Sequence, residues 1–245
     1  MNAPASRPGD AGGGTLAEGQ VRLMFDRLAG VYDGMNSVMT AGLHHHWRER
    51  AADLALLGPG DRALDVATGT GDLAIALARR VGGSGQVVGC DFSERMLERA
   101  REKAPSLRFE HANALELPYA DGSFDAATVG FGARNFSDLD RGLAELARVV
   151  RPGGTVVVLE ITTPERPPLS WFFQLWFDRA VPALGRLAGA QDAYAYLPSS
   201  VRRFPRPPAL AAALAGVGLD HVRWLVTAGG IIAMHSATKQ HARRP

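Results

Sequence analysis

The chain has 245 residues, a length that suits one sizeable α/β domain with its own core. Hydrophobic residues make up 46% and charged residues 21%, as in ordinary globular proteins, and a formal net charge of +2 is too small to indicate a nucleic-acid partner. The single cysteine, Cys90, excludes a disulfide within the chain and fits a reducing cytoplasm, and no run of 18 apolar residues predicts a membrane-spanning helix. Residues 1–20 and 241–245 are predicted to be tails, the first disordered because it is rich in Gly, Pro and Ala.

Helical periodicity begins the ordered part of the chain. It predicts one helix from Val21 through Tyr32 and a second from about Leu43 to Leu57, which ends at the stop signal of residues 58–60 (GPG). Because these helices, within about 21–60, precede the first strand, they are candidates for a cap over a site on the sheet.

Strands and helices then alternate. The apolar runs predict strands at residues 62–67, 86–92, 107–111, 124–131 and 155–162. Ser93 and Ser137 are the predicted N-caps of two intervening helices, and Pro152-Gly153-Gly154 is predicted to end the second. This alternation predicts a doubly wound, mostly parallel sheet, with ligands at the carboxyl ends of its strands.

The chain ends differently. After an apolar insertion at about 164–205 and a helix at about 207–216, two strands are predicted at His221–Val226 and Ile231–Lys239. Four residues join them, and so short a connection permits only antiparallel pairing. The predicted fold is therefore one α/β domain over residues 21–240, a seven-stranded sheet that ends in an antiparallel hairpin, unlike the dehydrogenase pattern.

A glycine-rich turn follows the first strand as DVATGTGD, residues 65–72. Gly69-x-Gly71-x-x-Ala74 satisfies the dinucleotide fingerprint, although a tight strand-to-helix turn needs glycine for its own sake. Asp65 lies inside the preceding strand, where its carboxylate could take the amino group of a cationic ligand. A pyrophosphate, which is an anion, would gain nothing from that neighbour.

Polar residues at the next strand ends complete this pattern. Asp91, 20 residues after Gly71, is placed to accept two ribose hydroxyls, and Asn113 can hydrogen-bond an adenine edge. Backbone N–H groups near Thr70 and Gly71 remain for a small carboxylate. Carboxylate, ammonium, ribose and adenine together indicate S-adenosylmethionine rather than NAD, with a nicotinamide-dependent oxidoreductase as the alternative.

Longer segments carry a resemblance to a known family. These segments are YDGMNSVMTAGLHHHW (32–47), LDVATGTGDLA (64–74), FGARN (131–135), RVVRPGGTVVVLE (148–160), DAYAYLPSSVRRFP (192–205) and GGIIAMHSATK (229–239). Over about residues 21–240 the chain resembles the UbiE/MenG family, the C-methyltransferases of menaquinone and ubiquinone biosynthesis. The resemblance implies a Rossmann-like class I fold and methyl transfer from S-adenosylmethionine to a prenylated quinol, either demethylmenaquinol or a ubiquinone precursor. A methyltransferase for another small molecule would share the fold but not the first segment.

The resemblance also implies roles for individual residues. The family's cofactor contacts correspond to Thr70, Asp91, Asn113 and Ala114. Gly130 stands where the family usually has serine, so a side-chain hydroxyl is lost at a position expected to contact cofactor or substrate, and the backbone would have to substitute.

Four residues are expected around the reacting ring. Ionising a quinol hydroxyl with a pKa near 10 at pH 7 costs on the order of 4 kcal/mol, and a cation about 4 Å away returns a similar amount at an effective dielectric near 20. Arg134 is the candidate cation, with a structural salt bridge as its alternative role. Asn135 would orient the ring hydroxyl, and Tyr32 and His44 would close over the ring and exclude water.

Three consecutive histidines raise the question of a metal. His44 matches the family histidine three residues before Trp47, whereas His45 and His46 fall at variable positions. Further ligands at defined spacing are missing from the sequence, so no metal site is expected. His44 could equally be a hydrogen-bonded structural residue.

The insertion is a candidate lipid-binding element. It lines a prenyl groove or rests in the bilayer interface if its apolar face is available, and it is a core helix if that face is packed. A peripheral contact at the inner face of the cytoplasmic membrane and a homodimer are both left open. The predicted face consists of Leu169, Phe172, Phe173, Trp176, Ala180 and Leu184.

Overall fold

The computed structural model describes residues 18–187 and 191–240, with seven strands in one sheet. Most of the two predicted tails lies outside the described residues, while residues 18–20 already belong to the first helix. The strands are β1 (Arg62–Val66), β2 (Gln86–Asp91), β3 (Arg108–His111), β4 (Phe124–Gly130), β5 (Val150–Ile161), β6 (Leu219–Thr227) and β7 (Ile232–Lys239). The helices are α1 (Glu18–Leu28), α2 (Tyr32–Thr40), α3 (Leu43–Leu54), α4 (Asp72–Val81), α5 (Glu94–Lys103), α6 (Leu139–Val149), α7 (Leu169–Leu175), α8 (Val181–Leu187), α9 (Gln191–Arg203) and α10 (Pro207–Gly216).

The strand order is β3-β2-β1-β4-β5-β7-β6, and it confirms the predicted sheet. Strands β1 to β5 are parallel, whereas β7 runs antiparallel to both β5 and β6. The chain first moves outward from β1 to β3 and then returns to the other side of β1. The carboxyl ends of β1 and β4 therefore form the point where a ligand crevice opens in such sheets.

Helices cover both faces of the sheet. On one face α3, α4 and α5 pack through small and branched residues such as Ala51, Leu77 and Leu97, and on the other α6 and α10 pack through residues such as Leu146 and Leu214. Strand residues are thus buried on both sides, which explains their continuous apolar runs.

Two predicted boundaries are wrong. Asp138, not Ser137, caps α6, because its side chain accepts a hydrogen bond from the Arg141 backbone N–H at 3.0 Å. Residues 152–154 (PGG) lie inside β5 instead of ending α6, since β5 pairs with β4 through a register shift that accommodates the extra residues. Ser93 caps α5 as predicted, and it accepts from the Met96 backbone N–H at 3.2 Å.

The cap contains three helices where two were predicted. The first ends at Leu28, α2 follows from Tyr32, and the left-handed residues Ala41 and Gly42 turn the chain into α3. Helix α2 contains no fully buried residue, and its partly buried Tyr32, Met35 and Met39 pack against the hydrophobic core that includes α1 and α9.

The insertion packs against the cap rather than forming one apolar face. Phe173 and Phe177 are buried with α1 and α9, whereas Phe172 is 59% exposed. The side chain of Leu184 lies outside the described residues. A short π-helical turn, Trp176–Ala180, joins α7 to α8. None of the described helices is both long and apolar enough to cross a membrane.

Candidate active site

A cavity of about 880 Å³, its open mouth included, lies at the carboxyl ends of β1, β2 and β4. We call it the strand-edge cavity. Of the eight predicted cofactor-binding residues, Gly71 does not line it. Gly71 has a φ of +86°, and a Cβ there would lie 3.0 Å from the Phe109 ring, so this glycine shapes the turn. The seven that line the cavity are Asp65, Gly69, Thr70, Asp91, Asn113, Ala114 and Gly130.

Asp91 fixes the glycine turn to the end of β2. Its Oδ2 accepts the Gly69 backbone N–H at 2.8 Å and its Oδ1 accepts the Ser93 backbone N–H at 2.9 Å. Burial raises the pKa of this carboxyl to about 6, although both backbone donors oppose the rise. A ligand that donates hydrogen bonds to Asp91 would favour its charged form.

Asp65 is a second buried carboxylate, held from within the fold. Its oxygens accept hydrogen bonds from the hydroxyls of Thr68 at 2.6 Å and Thr128 at 2.8 Å. Burial raises its pKa to about 6. Two neutral donors offset only part of the cost of burying a charge, so a cationic group of a ligand would stabilise the carboxylate further.

A second, larger cavity of about 1600 Å³, again including its mouth, lies between the cap and the insertion. We call it the apolar cavity, because most of its lining is aliphatic and aromatic. Leu28, Phe173 and Trp176 are typical members. The residues that line both cavities mark their junction, and they are Phe25, Tyr32, Arg48, Phe131 and Asn135.

Tyr32 and Asn135 bring unused polar groups to the junction. The Tyr32 hydroxyl and the Asn135 side-chain amide make no hydrogen bond to any other described residue, and both residues line the two cavities. They are available to orient a hydroxyl of a bound molecule.

Arg134 forms an ion pair with Glu160, a carboxylate that was not predicted from the sequence. Its Nη1 lies 2.9 Å from Oε2 of Glu160, and the two side chains are only 8% and 2% exposed. Nη1 also donates to the Phe131 carbonyl, while the buried Nε has no partner within the described part of the chain. Arg134 lines the apolar cavity, so it lies where a cation near the acceptor ring was predicted. It also forms a salt bridge, which was the alternative role predicted for this residue. A single carboxylate in the apolar run of β5 was the available signal for Glu160.

His44 and Arg48 form a buried pair on α3. Arg48 Nη1 lies 2.5 Å from His44 Nδ1, and because arginine only donates, Nδ1 accepts and Nε2 carries the proton toward Ser37 Oγ at 3.1 Å. Burial, aided by the charge of Arg48, lowers the pKa of His44 to about 4. His44 is thus neutral at pH 7 and lines the apolar cavity. Sequence reasoning missed Arg48, although it follows His44 by one helical turn.

The histidine run does bring three metal-ligating side chains together. Potential ligand atoms of His44, His45 and Asp72 lie within 4.8 Å of one another. Arg48 Nη1 is also 3.8 Å from Asp72, so a metal ion there would have to bind beside a guanidinium. His45 and His46 are exposed.

Comparison with known proteins decides the family. The model of the ubiE/COQ5 methyltransferase family matches residues 14–239. The chain belongs to this family. Membership does not favour the nicotinamide-dependent oxidoreductase considered from the glycine fingerprint.

Relatives agree with this assignment, and a solved structure agrees with the fold. The chain is 46% identical to the demethylmenaquinone methyltransferase of Thermus thermophilus over 86% of this chain and 98% of that protein. It is 42% identical to the 2-phytyl-1,4-naphtoquinone methyltransferase of Trichormus variabilis over 76% and 84% of the two chains. A SAM-dependent methyltransferase of Thermotoga maritima shares the fold, with a TM-score of 0.63 at 19% identity over 89% and 99% of the chains.

Gly130 is where this member of the ubiE/COQ5 methyltransferase family departs from the expected serine. It ends β4 and lines the strand-edge cavity, and a Cβ there would lie 3.0 Å from Leu73 Cδ2. Leu73 therefore packs against the space that a serine side chain would need. The contact expected from a hydroxyl is left to the backbone.

Proposed function

We propose that this protein uses S-adenosylmethionine to methylate a ring carbon of a prenylated quinol, with demethylmenaquinol as the acceptor. The observation that carries the proposal is the junction of the two cavities. A cavity with two buried carboxylates, Asp65 and Asp91, meets a large apolar cavity at the carboxyl edge of the sheet. A charged cofactor and a lipid-like acceptor can thus meet only where Tyr32 and Asn135 lie.

The chemistry of the strand-edge cavity fits the cofactor. Asp65 is suited to its ammonium group, Asp91 to the two ribose hydroxyls and Asn113 to the adenine edge, with Ala114 beside the base. When bound, S-adenosylmethionine would supply a methyl group from its sulfonium sulfur, which keeps the electron pair of the broken bond, to the ring carbon, whose displaced proton would leave to bulk solvent after the transfer.

The chain's own residues prepare the acceptor. Tyr32 and Asn135 orient a ring hydroxyl with their free polar groups, and Arg134 adds a fixed positive charge whose field Glu160 partly offsets. The apolar walls exclude water, which strengthens each of these interactions. His44 closes the apolar cavity from the cap side and holds Arg48.

A naphthoquinol is favoured over a benzoquinol as acceptor. The relatives from Thermus thermophilus and Trichormus variabilis are both named for naphthoquinone-type substrates. The aliphatic and aromatic lining of the apolar cavity suits an aromatic ring and the start of a prenyl tail.

Mass spectrometry of methyl transfer tests this function. Purified protein is incubated with S-adenosylmethionine and either chemically reduced, short-tailed demethylmenaquinol or the matching benzoquinol, and we expect a higher kcat/KM for the naphthoquinol. Asn135→Ala should lower turnover by about 10²-fold, as loss of a well-placed hydrogen-bond donor does. Gln86→Ala, which changes an exposed amide at the amino end of β2 outside both cavities, should stay within about twofold. Binding of the cofactor without methylated product from either quinol would refute the proposal.

We also infer that the protein takes its acceptor from a membrane surface. Exposed large apolar side chains lie on elements that line the apolar cavity: Val38 and Leu43 from the cap are 65% and 51% exposed, and Trp171, Phe172 and Leu175 from α7 are 67%, 59% and 56% exposed. Tryptophan has an apolar ring and a polar N–H group, and it is enriched at the interface between a bilayer and water, where each part meets a suitable environment.

A further inference from the structure

Arg48 carries a buried positive charge, and no ligand for it is named in the proposed function. It is 6% exposed and lines both cavities. Among the described residues that line the strand-edge cavity, it is the only arginine, lysine or histidine. The charges facing this cavity are therefore two carboxylates, Asp65 and Asp91, and one guanidinium.

The guanidinium is held at one end and free at the other. Its close polar contacts all use Nη1, which lies 2.5 Å from His44 Nδ1, 3.3 Å from the His44 carbonyl and 3.8 Å from Asp72. The group also lies over the Phe131 ring, 5.3 Å from its centroid. Within residues 18–187 and 191–240, no side chain or carbonyl accepts a hydrogen bond from Nε or Nη2.

Neither partner of Nη1 neutralises the charge. His44 is neutral because burial lowers its pKa to about 4. Asp72 is shared, since its other oxygen accepts a hydrogen bond from Lys103 at 2.8 Å. An anion that reached Nε and Nη2 would meet a preoriented pair of donors, the geometry in which arginine binds carboxylates.

We propose that Arg48 binds the carboxylate of the methionine end of S-adenosylmethionine, and that His44 is a positioning residue that holds Arg48. The proposal rests on the cofactor of the proposed function. The ammonium and carboxylate of an amino acid share one carbon, so their partners must be close. Asp65 and Arg48 meet this requirement, because they line one cavity and the charge of Arg48 opposes the burial-driven rise in the pKa of Asp65.

The rival ligand for Arg48 is an anionic oxygen of the acceptor. The distribution of arginines favours the cofactor, because the apolar cavity has a second arginine, Arg134, whereas the strand-edge cavity has Arg48 alone among its described lining. Without Arg48, a cofactor carboxylate would meet no cationic side chain among the described residues that line the strand-edge cavity.

Calorimetric titration with two ligands tests this assignment. The probes are S-adenosylmethionine and decarboxylated S-adenosylmethionine, which lacks only the carboxylate, and no acceptor is present. We expect the native protein to bind the first more tightly. Arg48→Met should weaken S-adenosylmethionine by about 10- to 150-fold, the value of charge-assisted hydrogen bonds, and the decarboxylated ligand by less than about twofold. Arg50→Met, which removes an exposed arginine from the same helix, should leave both affinities unchanged.

His44→Leu should produce the same selective loss with a smaller fold-change, since Arg48 then keeps its charge but loses its orientation. Equal weakening of both ligands by Arg48→Met, or no weakening, would overturn the proposal. If Arg48→Met does not fold, Arg48→Lys and the native protein still test the proposal. A native protein that binds both ligands equally well makes no favourable contact with the carboxylate, which would contradict the role of Arg48. A native protein that binds neither ligand refutes the proposed cofactor instead.

Discussion

The two buried arginines at this site differ in what surrounds the charge. Arg134 faces Glu160 at 2.9 Å, so its charge is matched inside the protein. Arg48 faces a neutral imidazole and a shared carboxylate 3.8 Å away, so its charge is matched poorly. A buried charge without a full partner is costly unless a ligand supplies one. The pairing therefore makes Arg48 the better candidate for binding an anion, whereas Arg134 can act on an acceptor only through the field that Glu160 leaves uncompensated.

Arg134 needs two variants, because one substitution would change both stability and catalysis. Arg134→Met leaves Glu160 buried and unpaired, and the free energy of unfolding should fall by about 3–5 kcal/mol. The double variant Arg134→Met/Glu160→Gln removes the orphaned charge and should recover most of that loss in a urea titration. We expect methyl transfer to stay low in both variants, with cofactor affinity nearly unchanged in the double variant. Recovery of turnover in the double variant would reduce Arg134 to a structural residue.

Sequence reasoning located one half of the site better than the other. Asp65 and Asp91 could be placed because each stands at the end of a strand, and strand ends in a parallel sheet converge. Arg48 and Glu160 could not be paired with their partners, because those contacts depend on how α3 and β5 pack against other elements. The same packing decides that Arg134 meets a carboxylate.

At the scale of elements, α2 is held by polar contacts in addition to the packing of its partly buried Tyr32, Met35 and Met39. Asp33 accepts hydrogen bonds from Thr70 Oγ1 at 2.6 Å and from Lys103 Nζ at 2.6 Å, and Lys103 also reaches Asp72 at 2.8 Å. These contacts connect the cap to the glycine turn beside the strand-edge cavity. The cap can therefore respond to what binds at that turn.

Loss of the Lys103 contacts with Asp33 and Asp72 should loosen α2 without unfolding the domain. Lys103→Met removes partly exposed ion pairs, so we expect the free energy of unfolding to change by about 1 kcal/mol or less. Amide exchange in α2 should accelerate, and KM for the quinol should rise more than kcat falls. Arg108→Met, which breaks an exposed ion pair on β3 away from the cap, provides the control. Unchanged amide exchange in α2 would show that the Lys103 contacts do not hold this helix.

The elements that sequence patterns predicted well are those buried on both sides or capped locally. Strands β1 to β5 and helix α5 follow from apolar runs and from the Ser93 cap. Helix α2 was not predicted as a separate helix because its apolar residues are only partly buried, and the continuation of β5 through residues 152–154 depends on a register shift against β4. Turn-forming residues inside an element can be anticipated only when the partner strand is known.

At the scale of the whole molecule, the two cavities give the proposed active site a polar end and an apolar end. The proposed cofactor site lies at the sheet edge, while α7, which lines the apolar cavity through Phe172 and Phe173, exposes Trp171, Phe172 and Leu175 by more than half. The acceptor's tail is insoluble in water, so a mouth that touches the bilayer would avoid its transfer through solvent. Phe173, which the sequence placed on this exposed face, is buried in the cap core and is unsuitable for testing it.

Vesicle flotation with Trp171→Glu/Leu175→Glu tests the membrane contact without disturbing the core, because both side chains are more than half exposed and neither lines the apolar cavity. Burying each side chain in the interface is worth roughly 1.5–3 kcal/mol, so their loss should weaken binding to mixed phosphatidylcholine–phosphatidylglycerol vesicles by about 10²-fold or more. Methylation of a short-tailed quinol in detergent should persist, while methylation of a long-tailed quinol in vesicles should fall. Trp224→Glu, on β6 and 45% exposed, is the matched control and should float like the native protein. Equal flotation of the double variant and the native protein would exclude α7 as the membrane contact.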